Sequence, residues 1–185
     1  MNMKYYLITS MLLFLIACQN NSHTDPNEHI SSDQPIQRYN GELLRVSDIT
    51  YACDHLTEDN IKKWYGLEKI VWLSKPSNQG LENSCSAAFY AGTTDTDVGI
   101  QVYDYPSLEK LNTDLEVLQE MQMERVQGLG YPAFWYGGNV YQKSLTLFYK
   151  GLKIVVTQPA RDFYDEATHK KRSIQIAREY LATFN

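Results

Sequence analysis

Val98-Gly99-Ile100-Gln101-Val102-Tyr103, followed at once by Asp104-Tyr105-Pro106-Ser107-Leu108, sets the two element types of the fold side by side. In the first part Val98, Ile100 and Val102 alternate with Gly99, Gln101 and Tyr103, the period-two pattern of a strand that buries one face. Pro106-Ser107 then opens a helix, since the fixed φ of proline favours a helix start. Leu108, Leu111, Leu115 and Leu118 follow at spacings of three, four and three, one apolar stripe. A coiled coil would keep such spacing for three or four heptads, and this one lasts less than two. The helix is therefore expected to pack on the protein's own sheet.

Toward the N-terminus, residues 70–73 and 87–90 read as strands, separated by turn-rich Ser77-Asn78-Gln79-Gly80 and Thr93-Thr94-Asp95-Thr96-Asp97. Before them Thr57-Glu58-Asp59-Asn60 opens a short helix, with Thr57 as cap, acids at the positive dipole end, Ile61, Trp64 and Tyr65 as apolar stripe, and Gly66 as stop. Toward the C-terminus, strand-like segments at 125–127, 133–136, 140–149 and 152–157 are punctuated by Gly128, Gly130, Gly137-Gly138 and Gly151. A final helix over about 165–184 carries Ile174, Ala177, Leu181 and Phe184 at three, four and three. Short connections favour antiparallel pairing, so the expectation is α+β: an antiparallel β-sheet flanked by helices in a single globular domain over residues 46–185.

The chain begins differently. Lys4 is the lone charge ahead of an apolar run over residues 5–17, interrupted only by Thr9 and Ser10. As a helix that run would be roughly 20 Å long against a bilayer core of about 30 Å, too short to span comfortably. It has the n-region and h-region of a signal peptide. Its end, Leu15-Ile16-Ala17-Cys18, resembles the lipobox of bacterial lipoproteins: an aliphatic residue at minus three, a small one at minus one, then cysteine. The resemblance implies cleavage after residue 17, a lipid on Cys18 and membrane attachment without a span, because two or three acyl chains anchor effectively permanently. Gln19 in place of aspartate points to the outer membrane, facing the periplasm, in a Gram-negative host.

Removing residues 1–17 from the 185 leaves 168 and takes away Lys4 but no acid, so the net charge moves from −5 to −6. An acidic chain whose densest basic run is Lys170-Lys171-Arg172 argues against nucleic acid as a partner. That triplet is expected near the solvated face of the last helix. Residues 18–45 are rich in Asn, Ser, His, Asp and Gln with scattered apolar residues, the composition of a flexible tether. Such a coil would span roughly 25 to 30 Å.

With Cys18 lipidated, Cys53 and Cys85 remain, an even pair in an oxidising compartment, which suggests one disulfide. Closing that loop would contribute about 3 to 4 kcal/mol on the chain-entropy estimate. A reactive Cys53 beside His55 is the alternative, though no third orienting group is evident. His23, His29, His55 and His169 show no ligand spacing, so neither metal nor other cofactor is expected. Asp95-Thr96-Asp97 lacks the later ligands of a calcium loop and reads as a hairpin turn. Gly128-Leu129-Gly130 precedes Tyr131-Pro132 instead of opening a helix, so it is no dinucleotide fingerprint.

Aromatic content stands out instead: 14 tyrosines and three tryptophans. Tyr103, Tyr105, Tyr131, Trp135, Tyr136 and Tyr141 form a candidate binding face, since Tyr and Trp combine contact area with a polar handle. The competing reading is that aromatics simply favour half-buried strands.

Cys53-Asp54-His55-Leu56-Thr57-Glu58 before a helix, then Cys85, then Val126-Gln127-Gly128-Leu129-Gly130 with Ala133 and Trp135, resembles the layout of small lipoproteins of unknown function whose domains are of the PsbP/Mog1 type of α/β sandwich. That resemblance covers most of residues 50–184, implies the disulfide and the α+β fold, and transfers no catalytic residue. The expected function is a non-enzymatic, lipid-anchored binding or accessory protein recognising an envelope protein or glycan, one version being an inhibitor or immunity-type protein. The alternatives are an envelope hydrolase with an undetected site and a purely structural lipoprotein.

Overall fold

The computed structural model describes residues 36–121, 123–137, 142–159 and 164–184. Cys18, the lipobox and Tyr141 lie outside the described residues. The fold is α+β. Seven strands, β1 (Val71–Ser77), β2 (Asn83–Ala91), β3 (Thr94–Asp104), β4 (Glu124–Arg125), β5 (Ala133–Tyr136), β6 (Gln142–Tyr149) and β7 (Leu152–Pro159), form one sheet in the order β1-β2-β3-β7-β6-β5-β4. Every neighbouring pair is antiparallel. Four helices complete it: α1 (Ala52–His55), α2 (Glu58–Tyr65), α3 (Leu108–Glu120) and α4 (Glu166–Leu181).

Local chemistry accounts for the element ends. Thr57 accepts from the Asn60 amide at the start of α2, and Gly66 closes that helix in the left-handed region at φ 67°. Only a residue without Cβ adopts that conformation at little cost. Ser107 caps α3 and Asp165 caps α4 in the same way, each accepting from the amide three residues on. The turn between β2 and β3 is tighter than the polar run Thr93 to Asp97 implied: β3 begins at Thr94, so Asp95-Thr96-Asp97 belongs to the strand, opposite Tyr90, Phe89 and Ala88. Thr96 is buried and its two acidic neighbours exposed, the alternation of a half-buried strand.

The same alternation divides the core in two. Val98, Ile100 and Val102 of β3, Leu152, Ile154 and Val156 of β7, Leu145 and Leu147 of β6, and Ala133 and Trp135 of β5 all join one large cluster with α1, α2 and α4. Phe134 and Phe148, one residue out of phase, point to the opposite face and meet Leu111 and Leu115 of α3 and Tyr105 in a second, smaller cluster. The leucine stripe of α3 thus packs on the sheet, with Leu108 and Leu118 at its margins.

Cys53 of α1 is bonded to Cys85 of β2, with Cα atoms 5.0 Å apart. The bridge ties the first helix to the sheet on the large-core face.

Two segments depart from the composition-based reading. Residues 36–45, assigned to the tether by their polarity, lie as a strap on the α3 face. Ile36, Tyr39 and Leu43 pack on the small cluster, and the Asn112 carboxamide holds Tyr39 at both ends, accepting from its amide at 2.8 Å and donating to its carbonyl at 2.9 Å. Three apolar side chains and this bidentate grip offset the ordering entropy that the polar residues alone would not.

In α4 the buried side is His169, Arg172, Ser173, Ile176, Ala177 and Tyr180, while Ile174, Leu181 and Phe184 flank it. Arg172 therefore departs from the solvated face assigned to its basic triplet. Its guanidinium lies between the rings of Tyr65 and Tyr164, 3.9 and 4.0 Å from their centroids. Its Nε donates to the Trp64 carbonyl and its Nη1 to Gln158. Lys170 keeps to the margin, paired with Glu124 of β4.

Candidate functional site

The proposed aromatic face does not form as a unit. Trp135 is 3% exposed on the large-core face, its Nε1 donating to Glu166 of α4 at 3.0 Å. Tyr105 is 5% exposed in the small core, its hydroxyl donating to Asp114 of α3 at 2.8 Å. Burial and that acidic partner push the Tyr105 phenol well up. Burial opposes ionisation of Asp114, yet bonds from Lys110 and Tyr105 outweigh it and hold the carboxyl below its usual range. Tyr103 and Tyr136 are exposed on the α3 side of the sheet but sit on β3 and β5, three strands apart in the sheet order. Tyr131 stands elsewhere, edge-on to Tyr149 with centroids 4.6 Å apart. Strand alternation separates residues that cluster in sequence: Trp135 and Tyr136 are neighbours, so they face opposite ways.

Two titratable groups outside this set, His55 and Glu179, are held by neighbours in the large core. His55 is 6% exposed, sandwiched between Trp64 and Tyr180 at 5.3 and 5.2 Å, and its Nε2 has no hydrogen-bond partner. Burial lowers its pKa, with nearby Glu179 acting in opposition. Glu179 accepts from Trp64 and pairs with Lys63; burial opposes its ionisation, but these bonds prevail and lower its pKa. Cys53 is in the disulfide, so the alternative of a nucleophile beside His55 does not hold. Among the described residues no three His, Cys, Asp or Glu side chains are grouped to hold a metal ion. Nor is any described helix long and apolar enough to cross a membrane.

One predicted residue, Tyr131, lines a cavity of about 240 Å³. Strap residues Gln37, Arg38, Tyr39 and Asn40, the apolar side chains of Leu111, Leu115 and Phe148, and Lys150 and Gly151 of the β6–β7 turn line it. Arg38 is engaged at the surface by Glu116, Nε to Oε1 at 2.9 Å. Tyr39 donates its hydroxyl to the Glu42 carbonyl, and burial raises its pKa against the opposing charge of Lys150.

The turn that presents Lys150 is unusual. Lys150 has φ 43°, the one positive value at a non-glycine position among the described residues, and Gly151 follows at 86°. Positive φ at both central residues is the hairpin turn that matches strand twist, and asparagine-glycine is its favoured sequence. A lysine in the first position carries a backbone cost that asparagine or glycine would lower. The Leu44 amide donates to the Lys150 carbonyl at 2.9 Å, so the strap grips the turn as well as α3.

Sequence reasoning reached Tyr131 and marked Gly151 as punctuation. Tyr39 and Arg38 were hidden in a stretch whose composition is that of a tether, and the signal that could have exposed them is the apolar spacing Ile36, Tyr39, Leu43.

No protein-family model matches the chain, and no solved structure matches it. The conidiophore development regulator abaA of Aspergillus oryzae is 38% identical to it over 60 residues. That stretch covers 32% of this chain and 8% of the regulator.

Proposed function

We propose that the chain is a lipid-anchored binding or accessory module of the cell envelope, held through Cys18 and recognising a protein or envelope component. The anchor reading is supported by Leu15-Ile16-Ala17-Cys18 behind its apolar run, and Gln19 favours the outer membrane if the host is Gram-negative. The binding reading is carried by one observation: a cavity on the α3 face of the sheet lined by apolar side chains, two tyrosines and a cationic turn. Apolar concavities with a few placed polar groups are the usual form of a recognition site. The carboxyls of Asp114 and Glu179 are held ionised. A general acid needs the opposite shift.

Two measurements test this reading. Cys18→Ser should leave the precursor uncleaved or release the protein from membranes, and labelled palmitate should enter the wild type only; normal processing and retention of the variant would overturn the anchor. Crosslinking in intact cells should trap a defined envelope partner on the strap face. Trapping confined to the α4 face would contradict the placement.

A further inference from the structure

The cavity beneath the strap selects its occupant by chemistry. Leu111, Leu115 and Phe148 offer an apolar floor, Tyr39 and Tyr131 flank it, and Lys150 stands at the rim. At about 240 Å³ and partly open to solvent, the cavity is on the scale of one ring with a short side chain.

The two cations of the lining differ. Arg38 is already neutralised by Glu116 at the surface. Lys150 meets no carboxylate among the described residues; its ammonium lies over the Tyr149 ring at 5.3 Å. The charge available to an incoming group is therefore the lysine's. That same residue holds the left-handed backbone position described above, where asparagine would fit better. Side chain and backbone point the same way: a costly residue is placed at a turn, and its unneutralised charge borders an apolar cavity. Strain kept at one position is a pointer to function when the side chain there has something to bind.

We infer that this cavity binds a compact monocarboxylate with one aromatic or branched aliphatic group, its apolar body on the Leu111, Leu115 and Phe148 floor and its carboxylate on the Lys150 ammonium. The inference rests on the reading of the domain as a binding module and is independent of the anchor. A charge-assisted bond to a carboxylate supplies the orientation and most of the affinity, and the nearly enclosed floor adds apolar contact. Zwitterions and dianions are disfavoured because the lining offers a single unpaired cation.

The test uses the full chain in detergent micelles, titrated with 3-phenylpropionate and, separately, with its neutral isostere 3-phenylpropionamide. The acid should bind saturably, shifting the amide resonances of Tyr39, Tyr131 and Gly151, while the neutral compound binds at least about tenfold more weakly. Lys150→Asn should lose about the same tenfold for the acid, bind the neutral compound as the wild type does, and unfold at a higher temperature because the turn strain is relieved. Lys150→Arg should keep most of the affinity. Equal binding of acid and amide, full acid affinity in Lys150→Asn, or absence of shifts at the cavity would each overturn the proposal. Tighter binding of a tetrapeptide ending in phenylalanine than of the free acid would overturn it in favour of a chain terminus. Micelle partitioning is common to wild type and variant, so it cannot produce the difference. Failure of the anchor test leaves this titration untouched, and failure of the titration leaves the anchor untouched.

Discussion

Among the described residues, α1, α2 and α4 share 24 buried core residues and a disulfide with one side of the sheet, while α3 and an extended strap share five with the other. The first side is fixed by volume. Ile154, Leu145 and Tyr180 are fully enclosed, and Gln158 is bonded there to Arg172, Ser173 and the His169 carbonyl. The second side is fixed by a few directed contacts: the Asn112 grip on Tyr39, the Leu44 bond to the turn, and three apolar side chains of the strap. Buried apolar area sets most of the stability of a region, so the α4 side should open only with the whole molecule, and the strap side by itself. The cavity lies on the side that can open.

That contrast can be broken at several points. The largest effect belongs to the large core: Ile154→Ala should cost about 3 to 4 kcal/mol in denaturant unfolding, because a fully enclosed site cannot collapse around the lost atoms. A cost under about 1 kcal/mol would mean that the core is far looser than its enclosure suggests. Replacing Cys53 and Cys85 by alanine should cost about 3 to 4 kcal/mol on the chain-entropy estimate, again without loosening the strap.

Asn112→Ala, on the thin side, should cost about 1 to 2 kcal/mol, since two backbone bonds of Tyr39 lose their partner. Its signature is local: amide exchange at Tyr39 and Leu44 should quicken while β7 amides keep their protection. The smallest effect is a pH dependence. His55 has its folded-state pKa below the ordinary 6.5, so between those two values the unfolded chain binds more protons and stability falls as pH falls. His55→Phe should flatten the stability curve just below pH 6.5. The loss as Glu179 and Asp114 take up protons at lower pH should persist, because their folded pKa values are depressed and the stability they give is lost only there. An unchanged slope near pH 6 in the variant would remove His55 from this role.

The sequence was most legible where a single side chain decides the backbone. Thr57 and Gly66 mark the ends of α2 by local chemistry, and the structure places them as its two caps. Alternation in Val98 to Tyr103 assigned faces correctly because burial on one face is a period-two property. It was least legible where burial depends on distant partners. Arg172 looks solvated by charge and is buried because Tyr65, Tyr164 and Gln158 converge on it from three other segments. Trp135 and Tyr136 looked like one patch, and pleating sends them to opposite faces. The strap escaped notice because its binding depends on Asn112, more than 70 positions away in the chain. Of the cavity, only Tyr131 was among the aromatic candidates.

The central claim, that the strap face opens independently of the large core, is tested most directly by native-state amide exchange on the full chain. The account predicts that the Tyr39 and Leu44 amides exchange through an opening that is insensitive to denaturant and well below the global unfolding free energy, while the Ile154 and Val156 amides exchange only with global unfolding. Equal opening free energies for the strap and for β7 would contradict it.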